Sequence, residues 1–361
     1  MSNPETIHQI IDHLSWGDAT SNHALLLRDL LRTWGMHSEI YTLGCDPRLR
    51  NECRPLRECR VNQHTWAVYQ YSLDSPLTEF ALDHAGRTVL NYHNITPAHF
   101  FTPFDSRFAG RLQRAEHDLR CMTCLAGAIS VSRYNCAQLE ELGFAPVTHV
   151  PLLFSPDALA TSATQPQGQR LCQQFVHDRQ NILFVGRVSP NKRFEHLIQA
   201  FYYYHRLIEP ESRLLLVGVS PYGSYQAYLD MLVESMGLTD GVVFSGRVPL
   251  SAGFGAFYRT ADVFLCLSEH EGFGVPLVES MAFDVPVIAF KSTAVPETLG
   301  GSGVLVSKKR YDVIGELIYN LVTDQALRQQ VIRKQRERLA AFDRATVESR
   351  IKSWVESLEN A

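Results

Sequence analysis

The sequence predicts an α/β protein built from two doubly wound parallel sheets, and three observations carry that prediction. Apolar strand-like runs alternate with amphipathic helix-like runs along the chain. Several strands, among them NILFVG, SRLLLVG and DVFLCLS, are apolar throughout, which suits parallel strands covered on both faces. At 361 residues and 45% hydrophobic composition, the chain exceeds one ordinary domain and can supply two cores.

In the first half TIHQIIDHL reads as a strand, WGDATSN as a small-residue loop and HALLLRDLLRTWG as a helix. Leu26, Leu27, Leu30 and Leu31 recur at three- and four-residue spacing and are expected to share one apolar face. Gly35 ends the helix, and HSEIYTLG follows as a second strand. RTVLNYHNITP is a strand ending in polar residues before a proline. AGAISVSRYNCAQLEELG is a strand and then a helix, and THVPLLFSP a short strand leaving this half. The stretch from Asp157 to Arg170, DALATSATQPQGQR, is poor in bulky apolar residues, carries Pro and Gly, and reads as the linker.

Beyond it NILFVG, SRLLLVG, GVVFSG, DVFLCLS and PVIAF are strands. NKRFEHLIQAFYYYHRL, YQAYLDMLVESMG, PLSAGFGAFYRTA and PLVESMAFD are the helices among them. In the first of those helices Phe194, Leu197, Ile198 and Phe201 line one side. RQQVIRKQRERLAAF and ATVESRIKSWVESLE close the chain as amphipathic helices. The predicted divisions are a Rossmann-like domain at 1–156, a second at 157–340, and a terminal helical segment at 341–361. Two such domains are expected to face a central cleft, because open sheets of this type bind ligands at the carboxyl ends of their strands.

Composition excludes some functions. With 34 basic and 38 acidic residues the net charge is -4, a balance that does not suggest a nucleic-acid binder. No apolar run approaches the roughly 20 residues that span a bilayer. The opening MSNPETIHQII lacks a basic start followed by an apolar core, so its eight cysteines are expected to be free thiols in a reducing cytoplasm. Cys121-Met-Thr-Cys124 has the spacing of a redox or metal pair, but no second pair lies nearby. Ordinary buried or half-buried cysteines are the simpler expectation.

Four stretches carry candidate chemistry. In EHEGFGVPLVESMAF, Glu271 precedes a Gly-Phe-Gly turn and Glu279 lies about one turn into the following helix. Gly272 and Gly274 let the backbone approach a ligand, and Pro276 suits the start of the helix. Peptide N–H groups from Gly274 to Leu277 would then meet an anion, while the two carboxylates accept from hydroxyls. The plainer alternative makes Glu279 a helix-dipole partner and Glu271 a solvated loop residue.

In LFVGRVSPNKRFEHLI, Arg187 and Lys192 follow a strand and precede a helix, offering a forked donor and a point charge to a diphosphate. A solvated basic loop is the alternative, and Arg193 reads as structural or exposed. In NYHNITP, His93 and Asn94 end a strand and would donate to a sugar hydroxyl, unless they serve as caps or core. In WGDATSN, Gly17 would allow close approach to a phosphate and Asp18 a contact, although a surface loop fits as well. GxGxxG and GxxxxGK[ST] are both absent.

The second half resembles the donor domain of retaining glycosyltransferases with the GT-B fold, in the large family GT4. The resemblance rests on GRVSPNK at 186–192 and EHEGFGVPLVESMA at 269–282, whose Glu271 and Glu279 form an E-x7-E pattern. It implies transfer of a sugar from a nucleotide diphosphate sugar to a hydroxyl with the anomeric configuration kept. No metal or other cofactor is implied.

By that resemblance Arg187 and Lys192 hold the donor diphosphate, and Glu271 meets the transferred sugar, assisted by amides of Phe273, Gly274 and Val275. Glu279 would hold the ribose, His93 contact the donor sugar, and Gly17 sit in the loop over the phosphates. Many relatives carry a glycine pair where this chain has Trp16-Gly17-Asp18. The terminal helix is expected to cross back to the first domain, with Trp354 as its anchor.

The expected acceptor is a glycan, a lipid-linked glycan or a small molecule. Arg107, Arg111 and Arg114 on one helical face would suit an anionic lipid-linked acceptor or a peripheral contact with the inner membrane face; a solvated helix is the alternative. A nucleotide-sugar epimerase, a sugar phosphorylase and a nucleotide-sugar-binding protein without turnover are the rival readings.

Overall fold

The computed structural model describes residues 6–154, 156–176 and 179–358, which divide into two compact units. The first holds residues 6–98, 107–154 and 342–358; the second holds 99–106, 156–176 and 179–341. The first five residues of the predicted first domain and the last three of the terminal segment lie outside the described residues.

The first unit is built on seven parallel strands: β1 (Thr6–Leu14), β2 (Ile40–Cys45), β3 (Arg54–Pro55), β4 (Thr65–Tyr71), β5 (Thr88–Tyr92), β6 (Gly127–Ser130) and β7 (Val147–His149). Their order is β3-β2-β1-β4-β5-β6-β7. All positions of β4 and β5 are buried, as expected of strands covered on both faces. Strand β4 was not anticipated from sequence. Its TWAVYQY run carries Gln70 inside it, and register sets that glutamine opposite Ile11 of β1 and Asn91 of β5.

The helix Ala19–Thr33 packs Leu27, Leu30 and Leu31 onto Ile7, Val68 and Ile129. Leu26 leaves that face and is 37% exposed, because one residue of α-helix turns the side chain by about 100°. The terminal helix Arg344–Ser357 buries Val347, Ile351, Trp354 and Val355 in the same core.

The second unit holds six parallel strands: β8 (Gln180–Val185), β9 (Ser212–Val217), β10 (Val242–Gly246), β11 (Val263–Cys266), β12 (Val287–Phe290) and β13 (Val304–Val306). Their order is β10-β9-β8-β11-β12-β13. The winding therefore reverses between β8 and β11, and the loops after those two strands leave the sheet side by side. Open α/β sheets bind ligands at such a reversal. Strand β13 and the helix Tyr311–Thr323, which packs against Phe194–Leu207, were not read from the sequence. Phe194, Leu197, Ile198 and Phe201 are fully buried, on the face their spacing predicted.

The expected linker is a correction. Residues 157–170 lie in two helices, Pro156–Thr164 and Pro166–Phe175, packed against the short helix Gly255–Thr260. Its small residues permit backbone contact rather than looseness. A Cβ on Gly168 would fall 2.3 Å from the Ser162 carbonyl oxygen, and one on Gly255 would fall 2.1 Å from that of Leu159.

Residues 99–106 group with the second unit although they lie in the first half of the sequence. Ser224 Oγ donates to the Phe104 carbonyl at 2.7 Å, and the Phe101 and Tyr222 rings stand 5.1 Å apart.

Candidate active site

The loops after β8 and β11 bring two sequence candidates into contact. Lys192 ends the 3-10 turn Pro190–Lys192, and its Nζ lies 2.5 Å from Glu271 Oε2. Glu271 is only 8% exposed, which rules out the solvated-loop alternative. An ammonium and a carboxylate held this far from water are each other's compensation.

Asn191, which the sequence reading passed over, ties the loops together. It accepts from Ser189 Oγ at 2.8 Å, its Nδ2 donates to the His270 carbonyl at 3.1 Å, and its own carbonyl accepts from Glu269 N–H at 2.9 Å. Asparagine is buried at the point where two loops must exchange main-chain partners, so its place inside PNK was the only signal available.

The Glu271 loop is also anchored from behind. Its N–H donates to Thr293 Oγ1 at 2.8 Å, and the same hydroxyl donates back to the Glu271 carbonyl at 2.8 Å. Thr298 Oγ1 donates to the Phe273 carbonyl at 2.5 Å. Gly274 then caps the helix Val275–Ala282 in the left-handed region at φ 87, with Pro276 in its first turn. The N–H groups of Gly274 and Val275 have no partner among the described residues. Backbone amides left open at a helix start are suited to meet an anion.

Arg187, the other expected phosphate ligand, is exposed on the loop after β8, and its guanidinium contacts the hydroxyl of Tyr222. Close packing places that loop: a Cβ on Gly218 would come 1.9 Å from the Gly186 carbonyl oxygen. Arg193 is structural. At φ 53 it bonds Glu269 through Nε and Nη2, each at 2.7 Å, while Lys309 Nζ reaches the other oxygen at 2.6 Å. Burial opposes charge on Glu269, yet these two cations hold its carboxyl below the ordinary range.

Glu279 does not cap its helix. It is the fifth residue of Val275–Ala282, and its carboxylate accepts from the hydroxyl of Tyr258, a side chain with no exposure. Burial pushes the Glu279 carboxyl up to about 7, with the tyrosine hydroxyl pulling the other way. Tyr258 comes from a helix outside both motifs, so only the fold could reveal it.

In the first unit, Gly17 is exposed at φ 71 and starts the turn into the helix Ala19–Thr33. Asp18 is the N-cap of that helix, accepting from Ser21 N–H at 3.1 Å, so it has a structural task. His93 is half-buried just beyond β5, with Nε2 2.5 Å from Gln70 Oε1 and its ring edge-on to that of His23. Burial lowers His93 to about 4 and His23 to about 3. Asn94, expected to meet a sugar, is turned inward: its Nδ2 donates to Asn135 Oδ1 at 2.7 Å and Gln138 Oε1 at 3.0 Å.

Two other expectations change. Arg111 and Arg114 both pair with Asp74 of their own unit, at 2.6 and 2.8 Å, which leaves less charge for an anionic acceptor. Cys121 and Cys124 are exposed rather than buried or half-buried. No helix among the described residues is long and apolar enough to cross a membrane.

Comparison with known proteins adds to this geometry. Residues 172–338 match the model of the family described as Glycosyl transferases group 1. The chain is 30% identical over 151 residues to O-antigen chain mannosyltransferase B of Escherichia coli, covering 41% of this chain and 38% of that one.

It is also 30% identical over 208 residues to a GDP-mannose-dependent alpha-(1-6)-phosphatidylinositol monomannoside mannosyltransferase of Mycolicibacterium smegmatis, covering 54% and 52%. The matched stretch thus spans about half, or less, of these two relatives. In fold it is similar to sucrose-phosphate synthase from Thermosynechococcus elongatus, at 19% identity, TM-score 0.74 and 99% coverage of both chains. The architecture is therefore that of the GT-B glycosyltransferases.

Proposed function

We propose, for a chain that belongs through residues 172–338 to the glycosyl transferases group 1 family, that it moves a sugar from a nucleotide diphosphate sugar to an acceptor hydroxyl. The observation that carries this reading is the Lys192–Glu271 pair, 2.5 Å apart on the loops at the sheet reversal, with the open Gly274 and Val275 amides three and four residues after Glu271. One side of that arrangement suits an anion and the other suits sugar hydroxyls.

Lys192, Arg187 and the amides around Phe273, Gly274 and Val275 take the diphosphate and stabilise the charge that grows on it as it leaves. Glu271 accepts from hydroxyls of the transferred sugar, and Glu279 from those of the ribose. Gly17 meets the phosphates and His93 the transferred sugar. Configuration is retained: the acceptor attacks on the face from which the diphosphate departs. The anomeric carbon–phosphate oxygen bond breaks, the new glycosidic bond forms, and a phosphate oxygen takes the acceptor proton. Glu271 positions the sugar and forms no bond to it. The cationic side chains and amides serve where a divalent ion would, so turnover persists in EDTA.

Names of the relatives support a glycan or lipid-linked acceptor and a nucleotide-linked mannose donor as the first to try. The test is mass spectrometry of products from a panel of UDP- and GDP-sugars with a mixture of lipid-linked and free glycan acceptors. Sugar joined to acceptor is the expected product. Lys192→Ala and Glu271→Gln should each lower kcat about a hundredfold or more, the scale of a lost charge-stabilising contact, while Cys121→Ala leaves it unchanged. Epimerised free sugar, sugar phosphate, or donor binding without consumption would each overturn the reading.

A further inference from the structure

A run of buried amides crosses three strands of the first sheet and ends on His93. Gln9 of β1, Gln70 of β4 and Asn91 of β5 are 0%, 4% and 1% exposed. Gln9 stands opposite Val68, two positions before Gln70, so both glutamines point to the same face of the sheet. The direction of every hydrogen bond along this run can be derived from one end.

Gln9 Nε2 lies 2.7 Å from the carbonyl oxygen of Ala24. A main-chain carbonyl only accepts, so the amide nitrogen of Gln9 must face it and Oε1 must face away. That Oε1 lies 2.7 Å from Gln70, which must therefore present its nitrogen. The Gln70 oxygen is then left for the far side, where Asn91 Nδ2 donates to it at 2.9 Å and His93 Nε2 approaches to 2.5 Å. A carbonyl oxygen with two lone pairs can accept both, provided His93 carries its proton on Nε2. Turning either glutamine over would set oxygen against oxygen among side chains that are almost wholly buried.

We infer that Gln9 and Gln70 are positioning residues that lock the His93 ring as its Nε2–H tautomer, so that Nδ1 meets a substrate hydroxyl as an acceptor. This reverses the role expected from sequence, in which His93 donates. The hydroxyl then gives its proton toward the ring, which raises the electron density on its oxygen. Burial keeps the ring neutral at ordinary pH, and the titratable ring packed on it, His23 from the helix Ala19–Thr33, is neutral for the same reason. The part of the inference that concerns substrate rests on the proposed contact of His93 with the transferred sugar; the tautomer does not.

Nitrogen-15 NMR of the full chain labelled at histidine tests the tautomer directly, with the His93 signals identified by their loss in His93→Gln. At neutral pH a protonated Nε2 and an unprotonated Nδ1 are expected. A protonated Nδ1, or a doubly protonated ring, overturns the inference whatever the variants do. Gln70→Met removes the acceptor at similar volume and should let both tautomers appear. In the transfer assay it should lower kcat/KM about tenfold, the scale of one hydrogen bond lost at a buried group. Combining it with His93→Gln should cost no more than His93→Gln alone, because the two act as a unit. Additive losses overturn the positioning role. Full activity of His93→Gln removes the substrate half and leaves the tautomer to be decided by the spectrum.

Discussion

Glu279→Gln should make the protein more stable and a poorer binder of donor. The Glu279 carboxyl sits beside the Tyr258 hydroxyl, and burial raises it from 4.5 to about 7. A raised carboxyl holds its proton in the folded state longer than in the unfolded one. Its contribution is therefore intact below pH 4.5 and is lost as pH climbs through about 7. The gap between those values is worth about 3 kcal/mol at about 1.4 kcal/mol per pH unit.

Glutamine has the same shape, still accepts from Tyr258, and never has to bury a charge. Urea unfolding at a series of pH values should show the two proteins equal near about pH 4.5. The variant should lead by about 3 kcal/mol at about pH 8.5. Calorimetry with UDP or GDP at the same higher pH should show weaker binding by about tenfold, since a neutral amide is a poorer acceptor for ribose hydroxyls than a carboxylate. Parallel stability curves across the range would show that Glu279 is not held protonated by burial, and the reasoning would fail.

Three further outcomes follow from particular contacts. Gly218→Ala places a methyl 1.9 Å from the Gly186 carbonyl and must push the Arg187 loop. Stability should fall by about 1–3 kcal/mol and the donor KM should rise, whereas Gly86→Ala, which meets nothing within 4 Å, changes neither. Trp354→Ala should destabilise the first unit by about 3–5 kcal/mol, seen in urea unfolding, because its ring lies in that core at 4% exposure.

The buried His8 and His23 and the half-buried His93, lowered to about 4, 3 and 4, give stability that is complete above pH 6.5 and lost as pH falls toward those values. His23→Met, which also removes the unpartnered Nδ1, should flatten the acid limb of the unfolding free energy measured in urea by up to about 1.4 kcal/mol per pH unit.

Local pattern reached a long way into this protein. Continuous apolar runs foretold β8, β9 and β11, and three- and four-residue spacing foretold the buried face of Phe194–Leu207. Where pattern misled, packing was the cause. DALATSATQPQGQR looks loose because it lacks bulky side chains, yet its alanines and Gly168 let helices come within backbone contact. Strand β4 went unread, and nothing local marks its Gln70 as buried, since its partners Gln9 and Asn91 come from other strands. Leu26 counted as core because spacing alone cannot say where the edge of a face falls.

The sequence by itself determined the alternation of elements, the Gly-Phe-Gly turn with Glu271 and Glu279 on either side, and the cations after β8, since each depends on neighbours within a few residues. Only the tertiary structure decided that Lys192 lies against Glu271, that Tyr258 holds Glu279, that Asn94 faces inward, and that a backbone carbonyl at Ala24 governs the ring of His93. Those facts hang on strand order and register. They join residues 79, 21, 41 and 69 positions apart, a distance at which no local preference acts.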